Sequence, residues 1–113
     1  MLRAIPAGQF GAIEWIPQAI INRPVSYFES RFGFKFISGS DDLDEYQEAT
    51  LSLDGLPVAL MHYHGYPDDT TTVYLPFGFN NVAGILRVIG AIAKEFALPP
   101  DAVSWQRADE LSF

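Results

Sequence analysis

ATLSLDGLPVALMHY, residues 49–63, is the stretch whose reading decides the fold. Ala49, Leu51 and Leu53 alternate with Thr50, Ser52 and Asp54, the period-two pattern of a strand with one face buried. Asp54-Gly55 then reverses the chain, because a two-residue hairpin turn needs positive φ at both positions and this dipeptide tolerates it. Val58 to Tyr63 is apolar on both faces, as a central strand would be.

Working outward, Gly65, Pro67 and Asp68-Asp69 break the chain, and Thr70 to Leu75 has the branched and aromatic residues of another strand. Val82, Ile85, Leu86, Ile89, Ile92, Ala93 and Phe96 follow a helical stripe after Asn80-Asn81. Pro99-Pro100-Asp101 stops that helix, and Ala102 to Gln106 reads as a last strand. On the other side, Ser38 to Glu45 (SGSDDLDE) is a polar, acidic loop, and Phe34 to Ile37 reads as a strand. Pro24 to Phe32 has Val25, Phe28 and Phe32 at helical spacing, with Asn22 as its cap and Gly33 at its left-handed end. Phe10 to Ile16 (FGAIEWI) is rich in β-formers and gives a first strand.

The resulting order is β-α-β-β-β-β-α-β. It predicts an α+β domain over residues 1–113, with one mostly antiparallel or mixed sheet of five to six strands and two helices packed on one face.

Composition narrows the function. The 113 residues hold no cysteine, which excludes disulfides, thiolate catalysis, zinc knuckles and iron–sulfur ligation. No stretch reads as a signal peptide or as a membrane span, so a cytoplasmic protein is expected. Fourteen acidic against seven basic residues give a charge of −7, and the five arginines and two lysines are scattered. A phosphate backbone or an anionic membrane calls for a basic stripe, so neither is an expected partner. An acidic surface fits a basic protein partner, or solubility alone.

His62 and His64 stand two apart at the end of a strand, so both imidazoles could reach one ion. A metal site needs a third or fourth ligand, and Glu14, Glu48, Asp68 or Asp69 are the available carboxylates. The plain alternative is a strand end shared with Tyr63 and Tyr66. If the alternation from Val58 through Leu60 continues, His62 is the more buried of the two.

The segment from Arg23 to Tyr63 (RPVSYFESRFGFKF, then ATLSLDGLPVALMHY) resembles one βαβββ module of the glyoxalase and bleomycin-resistance family, the vicinal oxygen chelate proteins. The shared features are a Phe-rich helix, a Gly-Phe exit into a strand and a hairpin of alternating strands. The resemblance implies metal ligands on the first and fourth strands of the module, at Glu14 and at His62 or His64. It ends after Tyr74, where the chain supplies only a strand, a helix and one more strand, with no second hairpin.

Other features point to surfaces. Asp41, Asp42 and Asp44, with Glu45 and Glu48, form an acidic cluster too irregular for a calcium loop; they are expected to be solvated or to meet a basic partner. Phe77 and Phe79 either staple the helix entrance to the sheet or anchor a partner. The helix from Val82 to Phe96 is apolar nearly all round, with Gly84, Val88 and Ala91 off the main stripe, so a dimer through that face is expected. Gly84 and Gly90 weaken a helix, which would make sense where another backbone comes close.

No phosphate loop or nucleophile elbow is present, and no cofactor is expected. The reading is therefore a small acidic, non-enzymatic protein-binding domain of inhibitor, immunity or adaptor type. The alternative is a small metal- or ligand-binding enzyme using His62, His64 and Glu14.

Overall fold

A computed structural model describes residues 2–5, 13–40, 44–78 and 81–111. The sheet is built from β1 (Leu2–Ala4), β2 (Trp15–Ile21), β3 (Ile37–Ser40), β4 (Glu45–Leu53), β5 (Leu56–Tyr63), β6 (Thr71–Pro76) and β7 (Val103–Gln106). The helices are α1 (Val25–Phe32), α2 (Val82–Glu95) and the short α3 (Arg107–Leu111). The spatial order is β4-β5-β6-β2-β7, and β1 and β3 lie one after the other along the outer side of β4. Every pairing is antiparallel.

The hairpin forms as its residues dictate. Leu53 pairs with Leu56 across a turn in which Asp54 and Gly55 have φ of 50° and 94°. Alternate residues then face the helices: Ala49, Leu51, Val58, Leu60, Val73, Leu75, Ala19 and Ile21 join Val25, Phe28, Ile85, Ile89, Ile92 and Phe96 in the main core. Phe28 packs edge-on against Phe96 at 4.8 Å, inside an aromatic group that includes Phe32, Phe34, Phe36 and Tyr27. The Tyr27 hydroxyl donates to the Phe96 carbonyl at 2.9 Å, which joins α1 to the end of α2.

The fold is α+β with one antiparallel sheet, but the described residues form seven strands and three helices where five to six and two were expected. Leu2–Ala4 is too short to show a pattern and becomes a strand by pairing with Leu51–Leu53. The first long strand runs to Ile21 through Pro17. Proline is tolerated there because β7 pairs only with Ala19–Ile21 and the register shifts beside it; Phe10 to Ala12 lie outside the described residues. Phe34 and Phe36 fill the core ahead of a strand that begins only at Ile37. Ser38-Gly39-Ser40, read as loop, pairs with Glu45–Gln47. Asn22 does not cap α1; Pro24 holds that position without a side-chain hydrogen bond, whereas Gly33 ends the helix with φ of 72° as expected. The Asn81 side chain caps α2 by accepting from the Gly84 amide. No helix among the described residues is long and apolar enough to cross a membrane.

Candidate functional site

The hairpin register decides which polar groups meet. Counting outward from Leu53 and Leu56 sets Gln47 beside His62 and Tyr46 beside Tyr63. The next step out brings Glu45 to His64, and the His64 amide donates to the Glu45 carbonyl at 2.8 Å. Past the ends of the helices, this corner opens into a groove of about 420 Å³ lined by Ser38, Ser40, Glu45, Gln47, His62 and His64, with Gly39 and Tyr46 at its side.

His62 is half-buried and His64 exposed, in the order the alternation implies. His62 Nδ1 lies 2.9 Å from the Thr70 carbonyl. A carbonyl only accepts, so Nδ1 carries a proton, and in the neutral ring Nε2 is the nitrogen with the lone pair. One backbone carbonyl thus fixes the ring's tautomer and orientation.

The structure does not bring Glu14 to the histidines. Its carbonyl accepts from the Phe77 amide at the far end of β6, and His62 bonds to Thr70 at the near end. Six residues of strand separate those ends, about 20 Å. β6 also lies between β2 and β5, so the first and fourth strands of the glyoxalase-like segment are not neighbours. Glu48 pairs with Met61, one step from the Gln47–His62 pair, and so faces the opposite side of the sheet. Asp68 and Asp69 are exposed and line no part of the groove. Among the described residues, no three His, Asp or Glu side chains gather where they could hold a metal ion. The carboxylate that shares the groove is Glu45, which counting pairs back from Asp54-Gly55 would have found.

Glu48 lies instead in a second groove of about 430 Å³ with Ala4, Ile5, Phe34, Lys35, Ile37 and Thr50. Burial raises its carboxyl above the ordinary value of 4.5, and a hydrogen bond from Thr50 partly offsets this. A raised folded-state value stabilises the fold at low pH, and that contribution is lost as pH rises through it. Glu48→Gln is therefore expected to raise the melting temperature at pH 7. The two proteins should melt together near pH 3, where both side chains are neutral; scanning calorimetry across that range checks it.

The second face of the sheet carries a smaller cluster of Ala59, Met61 and Tyr74, flanked by Trp15, Tyr46 and Tyr63. Tyr46, Tyr63 and Tyr66 form a strip with successive ring centroids 5.5 and 5.9 Å apart. Tyr46 lies over Gly39, where an added Cβ would come within 2.8 Å of the ring. The absence of a side chain on β3 is what lets the tyrosine cover it.

The other expected surfaces divide. Asp41, Asp42 and Phe79 lie outside the described residues. Asp44 is tied to backbone: Oδ1 accepts from the Glu45 amide at 2.8 Å and Oδ2 from the Gly65 amide at 2.6 Å. Phe77 is 66% exposed and staples nothing. On α2, Val88 packs against the main core, Gly84 and Ala91 are half-buried, and Leu86, expected on the inner stripe, is exposed. The expected stripe holds at Val82, Ile85, Ile89, Ile92 and Phe96, and its edge lies at Val88 rather than Leu86, so Val88→Glu would injure the core. Gly90 has open space around it, so no backbone comes close there within the chain.

No family model matches this chain, and neither a curated protein nor a solved structure matches it.

Proposed function

We propose that this chain is a small, acidic, non-enzymatic protein-binding domain of inhibitor, immunity or adaptor type. The observation that carries the reading is the tyrosine strip Tyr46–Tyr63–Tyr66 on the second face of the sheet, at the corner where Tyr46 also borders the groove that holds Glu45. Tyrosine supplies contact area at small entropic cost and is enriched where interfaces concentrate their binding energy. Glu48 on the same face and Glu45 on the other side of this corner, on a chain of charge −7, favour a basic partner and speed its approach. Among the described residues, His62 and His64 share the groove with one carboxylate, which leaves the metal-enzyme alternative short of ligands.

A photo-reactive phenylalanine analogue at position 66, where Tyr66 is 43% exposed, tests the reading in the producing cells. It is expected to cross-link one protein with a basic surface, and Tyr63→Ser should abolish the product. The same analogue at Asp54, on the opposite end of the hairpin, should give none. Equal labelling at both positions would overturn the reading. So would sub-micromolar zinc binding lost in both His62→Ala and His64→Ala, in favour of the metal alternative.

A further inference from the structure

We infer that β3 is an open sheet edge that receives an extended, basic segment of a partner protein as an added strand. This rests on the protein-binding reading and specifies how the partner is held.

β3 pairs with β4 on one side, and among the described residues no strand pairs with its other side. A free edge presents a row of N–H and C=O groups, and sheets usually guard it with lysine, proline, a bulge or a covering element. Ile37-Ser38-Gly39-Ser40 carries none of these side chains, and its pairing with β4 runs without a bulge. Ile37 stands 55% exposed on it. Its four residues are short enough to resist aggregation and long enough to seat a short peptide.

The surroundings of β3 supply specificity. The two grooves of about 420 and 430 Å³ meet along it, with Ser38, Gly39 and Tyr46 lining both. Neither touches β7 at the opposite edge of the sheet. An added strand turns alternate side chains to opposite faces, so successive residues would find different surroundings. One groove offers Glu45, Gln47 and the serine hydroxyls and contains no lysine or arginine. The other offers Phe34, Ile37 and Ile5 together with Glu48, and Lys35 also lines it. A strand that alternates basic and apolar residues matches this pair. A second copy of the chain does not, since each copy brings a charge of −7 and its own Glu45 to the same edge.

The test titrates the isotope-labelled chain with three short peptides and follows its backbone amides by NMR. The first alternates lysine and valine, the second replaces lysine by glutamate, and the third is the lysine peptide with alternate backbone amides methylated. The lysine peptide is expected to shift and protect amides within Ile37–Ser40. Its dissociation constant should rise about tenfold or more on switching to glutamate and on methylation, the first from lost charge and the second from lost ladder bonds. Equal binding by the methylated peptide, protection mapped away from β3, or no binding by the lysine peptide would each overturn the inference. A dimer of the chain alone that Ser40→Lys dissolves would assign the edge to self-pairing and also overturn it. If cross-linking at position 66 succeeds while the peptides fail, the binding reading stands and the added strand falls.

Discussion

Replacing Phe28 by alanine is expected to cost about 3–5 kcal/mol, the usual loss when a buried aromatic side chain leaves a cavity. Phe28 has no exposure and touches Tyr27 within α1, Phe36 beyond it and Phe96, so it joins α1 to the chain that follows and to the end of α2. The void opens inside the aromatic group of Phe32, Phe34, Phe36 and Phe96, whose rigid rings close it poorly. Small domains have about 5–15 kcal/mol of stability in all, so the variant should be partly unfolded or close to it. Phe28→Leu keeps most of the volume and should lose much less. Phe77→Ala is the counterpart: Phe77 is 66% exposed, and its removal should stay within about 0.5 kcal/mol. Urea denaturation of the three variants checks the order. Equal midpoints for Phe28→Ala and Phe77→Ala would contradict the placement of α1 over the sheet.

That contrast shows where sequence reading succeeds. Phe28 was legible as core because a helix repeats its inward face every three or four residues, and Val25, Phe28 and Phe32 mark it. The hairpin was legible for the same reason, with alternation on both arms and a turn of the right chemistry. β3 was not, because Ser38-Gly39-Ser40 has little strand propensity and becomes a strand only by pairing with β4 under the Tyr46 ring. The stripe of α2 was legible at Val82, Ile85, Ile89, Ile92 and Phe96, and its edge differs. Leu86 and Val88 flank that stripe on opposite sides, and the sheet beneath decides which of them is covered. At the site, the histidine pair was visible but its carboxylate was misassigned. Glu14 and Glu48 were named as available carboxylates, Glu14 also by the resemblance, whereas strand order and register place one at the far end and the other on the opposite face. Glu45 follows from register alone.

Asp44 separates a docking charge from a structural one. Its carboxylate accepts from the Glu45 and Gly65 amides, and so joins the start of β4 to the turn after β5, on which His64 sits. Hydrogen bonds to a charged acceptor contribute about 1.5–3 kcal/mol each when well formed, and partial exposure here favours the lower end for the pair. Asp44→Ala is therefore expected to destabilise by about 1.5–3 kcal/mol. It should also speed amide exchange at Gly65 and His64 more than elsewhere, because the loss falls on one corner of the sheet. Asp44→Asn keeps one accepting oxygen but turns its amide group toward a second N–H, so it should fall between wild type and alanine. Adding salt should change this cost little, because the acceptor touches its donors directly, whereas attraction to a distant basic partner is screened. A variant with unchanged stability and exchange, but slower association with a partner at low salt, would return Asp44 to the role of an exposed docking charge.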